Sequence, residues 1–168
     1  MSVWIFRRLA VAVFVVAGLT VGLAALRASA GPAEVAQIKP RQDKLRDMGG
    51  AQKAINDELK KGRLDWDNTI LPNAQTIKDR SGYLLNWFPK GSGPESGVKT
   101  YALPAIWQKN DDFVKLGKAA QAEAAKLNQV AQSRDGNALK AQMETMGKAC
   151  KACHDSYRSP DYEKENDD

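Results

Sequence analysis

The chain has 168 residues, with 25 Lys and Arg against 20 Asp and Glu, two cysteines and a single histidine. That length fits one domain. The small basic excess, with acids interspersed among the bases, excludes the clustered basic face of a nucleic-acid binder.

The first 30 residues differ from the rest. Met1 to Arg8 form a short basic start, and Leu9 to Leu26 carry no charge. Ala28-Ser29-Ala30 follows, the small-x-small pattern of a signal peptidase site. This order of parts predicts a secretory signal over 1–30. An uncleaved anchor helix is the alternative, because the apolar run sits at the lower edge of spanning length. Without Arg7, Arg8 and Arg27, residues 31–168 hold 22 bases against 20 acids.

Four helical patterns follow, and no strand alternation. Ile38, Leu45, Met48, Ile55 and Leu59 recur at helical spacing. Pro40 is tolerated only in a first turn, so the helix is expected from about Lys39 to Lys61, with 31–38 a loose lead or an extra turn. Ile70, Ala74, Ile77, Leu84 and Phe88 mark a second helix, which Pro72 should delay or bend. A Gly-, Pro- and Ser-rich loop fills the stretch to Pro104. The third pattern starts at Pro104 and runs through Ile106, Phe113, Ala120 and Leu127 to a turn at Ser133–Gly136. The fourth runs from Asn137 to Arg158, with Leu139, Met143, Met146, Cys150, Cys153 and Tyr157 on one stripe. These patterns predict an all-α antiparallel four-helix bundle over 31–160. The charged end, 161–168, is expected to be disordered.

The run Cys150-Lys-Ala-Cys153-His154 is a haem c attachment signal. Each thiol can add across one haem vinyl group, and the next histidine then lies where an imidazole can ligate iron. A structural zinc site would need four N or S ligands, and the chain offers two Cys and one His. A thioredoxin-like pair belongs in a βαβ setting at a helix N-terminus, whereas this pair lies late in its helix. A disulfide closing so short a loop would constrain the unfolded chain little. Arg41 falls on the apolar stripe, where a charge needs a partner. A haem propionate would serve, or the side chain could snorkel to water.

An export signal, four helices and a C-terminal C-x-x-C-H run resemble the class II cytochromes c, the cytochrome c prime type. Arg41-Gln42, Leu45, Met48-Gly49, Ile106-Trp107 and CKACHDSYR carry the resemblance, which spans about 38–158. It implies one covalent haem c held by Cys150 and Cys153, with His154 as axial ligand. It implies Arg158 near the proximal face, and Arg41 with neighbouring Gln42 near the propionates. The distal residue of the family falls on Leu45, which cannot ligate iron. The iron would then be five-coordinate and open to nitric oxide or carbon monoxide. Met48, one turn on, is the alternative sixth ligand, as in low-spin relatives that act purely as electron carriers; otherwise it is core. The implied setting is periplasmic, with periplasmic redox partners, no nucleic acid, no catalysed reaction and, in some members, a homodimer. Pro40 and Pro72 depart from the family pattern and bear on the distal geometry.

Overall fold

Pro40 decides where the first long helix can begin. In a computed structural model of the chain, which describes residues 31–166, a single turn α1 (Pro32–Val35) leads into α2 (Ile38–Lys61). Pro40 stands in the first turn of α2, where its missing N–H has no intrahelical acceptor to lose. Lys60 and Lys61 face the negative end of the helix, and Gly62 closes it at φ 73°, a left-handed cap that a Cβ would strain. The expected export signal over 1–30 lies outside the described residues.

Pro72 acts as the sequence suggests, by reshaping the start of its helix. Trp66–Ile70 form a π-helical turn opened by Asp65, whose carboxylate accepts the Asn68 N–H at 3.0 Å. The wide turn lets Leu71 bond back to the Trp66 carbonyl, and α3 (Leu71–Gly82) follows with Pro72 at its N-terminus. The helix is shorter than its apolar pattern. Leu84–Trp87 tighten into a 3-10 turn, so Phe88 belongs to the loop that follows.

The third helix is broken where one continuous element was expected. Pro104 caps α4 (Ala105–Gln108), Lys109 leaves helical geometry at φ −119° and ψ 49°, and α5 (Asn110–Ser133) resumes. The Asn110 amide caps the Ile106 carbonyl at 3.3 Å across the break. Asp135 then starts α6 (Gly136–Tyr157), its carboxylate accepting the N–H groups of Asn137 and Ala138.

The end of the chain corrects an expectation. Residues 161–166 form a helix, α7 (Asp161–Asn166), rather than a disordered tail. Lys164 pairs with Asp161 at 3.0 Å within it, and Tyr162 packs edge-on against Tyr101 at 5.2 Å. Charge composition argues for disorder only when nothing apolar docks, and Tyr162 docks.

Helix α2 packs on α3, α3 on α5, and α5 on α6. The Asn128–Gln75 and Gln121–Ser81 hydrogen bonds fix α3 and α5 antiparallel. Short connections reverse the chain between α2 and α3 and between α5 and α6. The result is the antiparallel four-helix bundle expected. No strand occurs among the described residues; a lone antiparallel bridge joins Ala102 to Arg158.

The core falls into two parts. The larger gathers Ala51, Ile55, Ile70, Ala74, Ile77, Leu127, Leu139, Met143 and Met146, with Cys150 at its edge. The smaller gathers Ala102, Ile106, Phe113 and Tyr157, with Phe88 and Cys153 at its edge.

Candidate functional site

The two cysteines straddle the division between the core clusters. Cys150 borders the larger and Cys153 the smaller, both half-buried and unbridged. Burial along α6 dips here. Leu139, Met143 and Met146 are buried, Cys150, Cys153 and His154 only partly so, and Tyr157 is buried again.

Helix α2 shows the same dip. Ile38, Arg41, Ala51 and Ile55 are buried, while Leu45 and Met48 between them are half-buried and join neither cluster. Where α2 and α6 approach, the Gln52 side chain lies 3.8 Å from Cys150 Sγ and close to Gly147. The helices run antiparallel, so stepping back along α2 from Gln52 steps forward along α6 from Cys150. Leu45 and Met48 therefore stand opposite the turn that carries His154. Beyond the Gln52 contact the two helices touch sparsely. Two half-buried apolar side chains face two thiols and an imidazole across this slot. That donor set and that apolar wall fit a flat apolar cofactor held by its edge.

The electrostatics suit ligation rather than thiolate chemistry. Burial, then the neighbouring Cys150 and Asp112, pushes the Cys153 thiol up to about 11. Burial also raises Cys150. Reactive redox cysteines need the opposite shift. Burial first, and Arg158 second, lower the pKa of His154, which favours a neutral ring with a free lone pair. Among the described residues no cluster of three or more His, Cys, Asp or Glu is placed to hold a metal ion.

Arg41 neither snorkels nor stands bare. It is 2% exposed. Its guanidinium donates to Ser92 Oγ at 2.8 Å, the Ser92 carbonyl at 2.7 Å, Thr100 Oγ1 at 2.9 Å and the Trp87 carbonyl at 3.3 Å. It also lies over the Phe88 ring, 4.7 Å from the centroid. All four acceptors are neutral. Burial pulls the group down to about 10, partly offset by the field of Glu95, so it stays charged at neutral pH. Gln42 donates to the Lys99 carbonyl at 3.1 Å and thus serves the same loop. Sequence reasoning missed these loop partners, because Ser92 and Thr100 carry no periodic signal. Arg158 sits at the end of α6, its N–H bonded to the His154 carbonyl at 3.1 Å. Its side chain pairs with Glu163 at 2.6 Å.

Comparison with known proteins now decides the family. The family model described as Cytochrome C' matches residues 36–158. The chain belongs to the cytochrome c' family. Members bind a single covalent haem c. Cytochrome c' of Rhodopseudomonas palustris is 34% identical over 143 residues, covering 82% of this chain and 92% of that protein. Cytochrome c-554 of Cereibacter sphaeroides is 42% identical over 74 residues, so the match spans 44% of this chain and about half, 48%, of that relative. Among solved structures, a nitric oxide complex of a leucine-to-isoleucine variant of cytochrome c prime from Alcaligenes xylosoxidans superposes with a TM-score of 0.66. It is 27% identical, covering 73% of this chain and 94% of that one.

Proposed function

We propose that this cytochrome c' is an exported, periplasmic protein that carries its haem in the slot between α2 and α6, transfers electrons and binds small diatomic gases. The observation that carries this reading is the matched dip in burial on the two facing helices, Leu45 and Met48 on one and Cys150, Cys153 and His154 on the other. Cys150 and Cys153 would be the thioether anchors and His154 the axial ligand. Bound there, haem c supplies a one-electron iron couple and a second axial position.

The chain's own residues set what that position accepts. Leu45 has no donor atom for iron and no hydrogen-bond donor for a bound anion. It would cap the distal face with hydrocarbon and admit small neutral molecules such as nitric oxide or carbon monoxide. The Alcaligenes xylosoxidans relative is solved with nitric oxide bound, which supports this reading. Arg41 meets only neutral acceptors, so its charge is available to offset a haem propionate, with Gln42 beside it. Tyr157 and Phe113, edge to face at 5.3 Å, and Phe88 wall the smaller cluster and keep water from that end. Periplasmic redox partners are expected, and a homodimer through α2 and α3 would cover Tyr83, which is 66% exposed.

Nitric oxide binding to the reduced protein tests the proposal. Leu45→Ala should accelerate association about tenfold, the scale of a 1.4 kcal/mol change in barrier. An unchanged rate in Leu45→Ala, with fast binding in Met48→Ala, would assign Met48 to the iron and leave electron transfer alone.

A further inference from the structure

Helix α7 lies beyond residue 158, where the family match ends. It is nevertheless tied into the bundle at three points. Glu163 pairs with Arg158 at 2.6 Å, and Tyr162 lies under the same guanidinium, 4.4 Å from ring centroid to Cζ. Glu165 accepts from the Tyr101 hydroxyl at 2.8 Å and pairs with Lys99. Tyr162 meets the Tyr101 ring edge-on. Between these contacts, the backbone of 101–103 pairs with that of 157–159. The Ser159 N–H donates to the Tyr101 carbonyl at 2.7 Å, and the Leu103 N–H to the Tyr157 carbonyl at 2.9 Å.

We propose that α7 is a latch that positions the Arg158 guanidinium beside His154 and closes the loop 97–103 over that end of α6. Glu163 and Tyr162 are positioning residues: they hold Arg158, and Glu163 adds a weaker opposing field of its own at His154. Each exposed pair is weak alone, and a cation over an exposed ring adds only a little more. Three ties sharing one short helix hold where one would not. Glu163 also neutralises Arg158, so the cation is held close to the axial ligand while its field is partly cancelled. The positioning of Arg158 rests on His154 being that ligand; the closing of the loop does not.

Two readouts on the full holoprotein separate the halves. Hydrogen exchange at the amides of Leu103 and Ser159 reports the latch itself. Truncation after Pro160 should speed it at least several-fold, and unchanged exchange would overturn the latch whatever His154 binds. The haem midpoint potential reports the positioning. Glu163→Gln leaves Arg158 uncompensated and should shift the potential upward, Glu163→Asp should restore it, and the shift should shrink severalfold in an Arg158→Ala background. An equal shift with Arg158 removed, or no shift at all, would show that Glu163 does not act through Arg158.

Discussion

At the scale of single residues, Arg41 and Tyr157 carry the most information. A buried guanidinium was visible in the sequence as a charge on an apolar stripe. That it needed a partner followed from burial; that the loop would provide three acceptors and the Leu84–Trp87 turn a fourth followed only from the folded chain. Arg41→Ala should cost roughly 3 kcal/mol, because Ser92 and Thr100 would lose their donor in a buried setting. Urea unfolding followed by Trp fluorescence measures this, since Trp87 and Trp107 flank the same loop. A change below about 0.5 kcal/mol, the range of an ordinary surface substitution, would mean that water replaces the arginine freely.

Tyr157 yields a prediction in pH. Its hydroxyl donates to Asp112 at 2.8 Å, and burial first, that carboxylate second, push the phenol up to about 12. The folded state thus holds this proton more tightly than the unfolded chain, whose phenol titrates near its ordinary value of about 10. The stabilisation is full below pH 10 and is lost as pH rises through 12. Tyrosine-ring NMR should show the Tyr157 ring titrating well above the ordinary phenol value, and Tyr157→Phe should flatten the alkaline limb of the stability curve. A Tyr157 ring titrating near 10 would remove the basis for this expectation.

At the scale of elements, the sequence foretold four helices and their apolar faces with little error. Leu139, Met143, Met146 and Tyr157 are buried as their stripe required, and Pro40 starts its helix as expected. Pro72 delays its helix behind a π-helical turn, as expected. The break at Lys109 and the 3-10 turn at Leu84–Trp87 leave the apolar spacing intact, so periodicity cannot register them. Helix α7 was missed because its docking residue, Tyr162, is one aromatic in a charged run. Gly62 was not singled out, yet its positive φ makes it the end of α2. Gly62→Ala should destabilise by about 1 kcal/mol, the cost of a Cβ in a left-handed residue, measured by thermal unfolding. An unchanged midpoint would mean that α2 ends elsewhere in solution.

At the scale of the molecule, the bundle carries its buried core in two clusters. The Cys-x-x-Cys-His run was legible because thioether attachment demands that spacing. The facing stretch of α2 was not, since it depends on how two helices from opposite ends of the chain pack, sparsely, against each other. The buried core falls into two clusters bordered by Cys150 and Cys153, and in the proposed arrangement the cofactor completes it. Replacing both cysteines by Ala should leave no haem after denaturing electrophoresis. It should also lower the unfolding midpoint by more than either single change, because the slot would lose the group that fills it. Haem retained through denaturation in that variant would refute the anchoring.

The central claim is that His154 is the protein's one ligand to the iron and that Leu45 covers the opposite face. The absorption spectrum of the purified protein, oxidised and reduced, tests it most directly. With Leu45 over the iron, the spectrum should be high-spin and five-coordinate in both states. A low-spin spectrum with a methionine–iron charge-transfer band would contradict it and place Met48 on the iron.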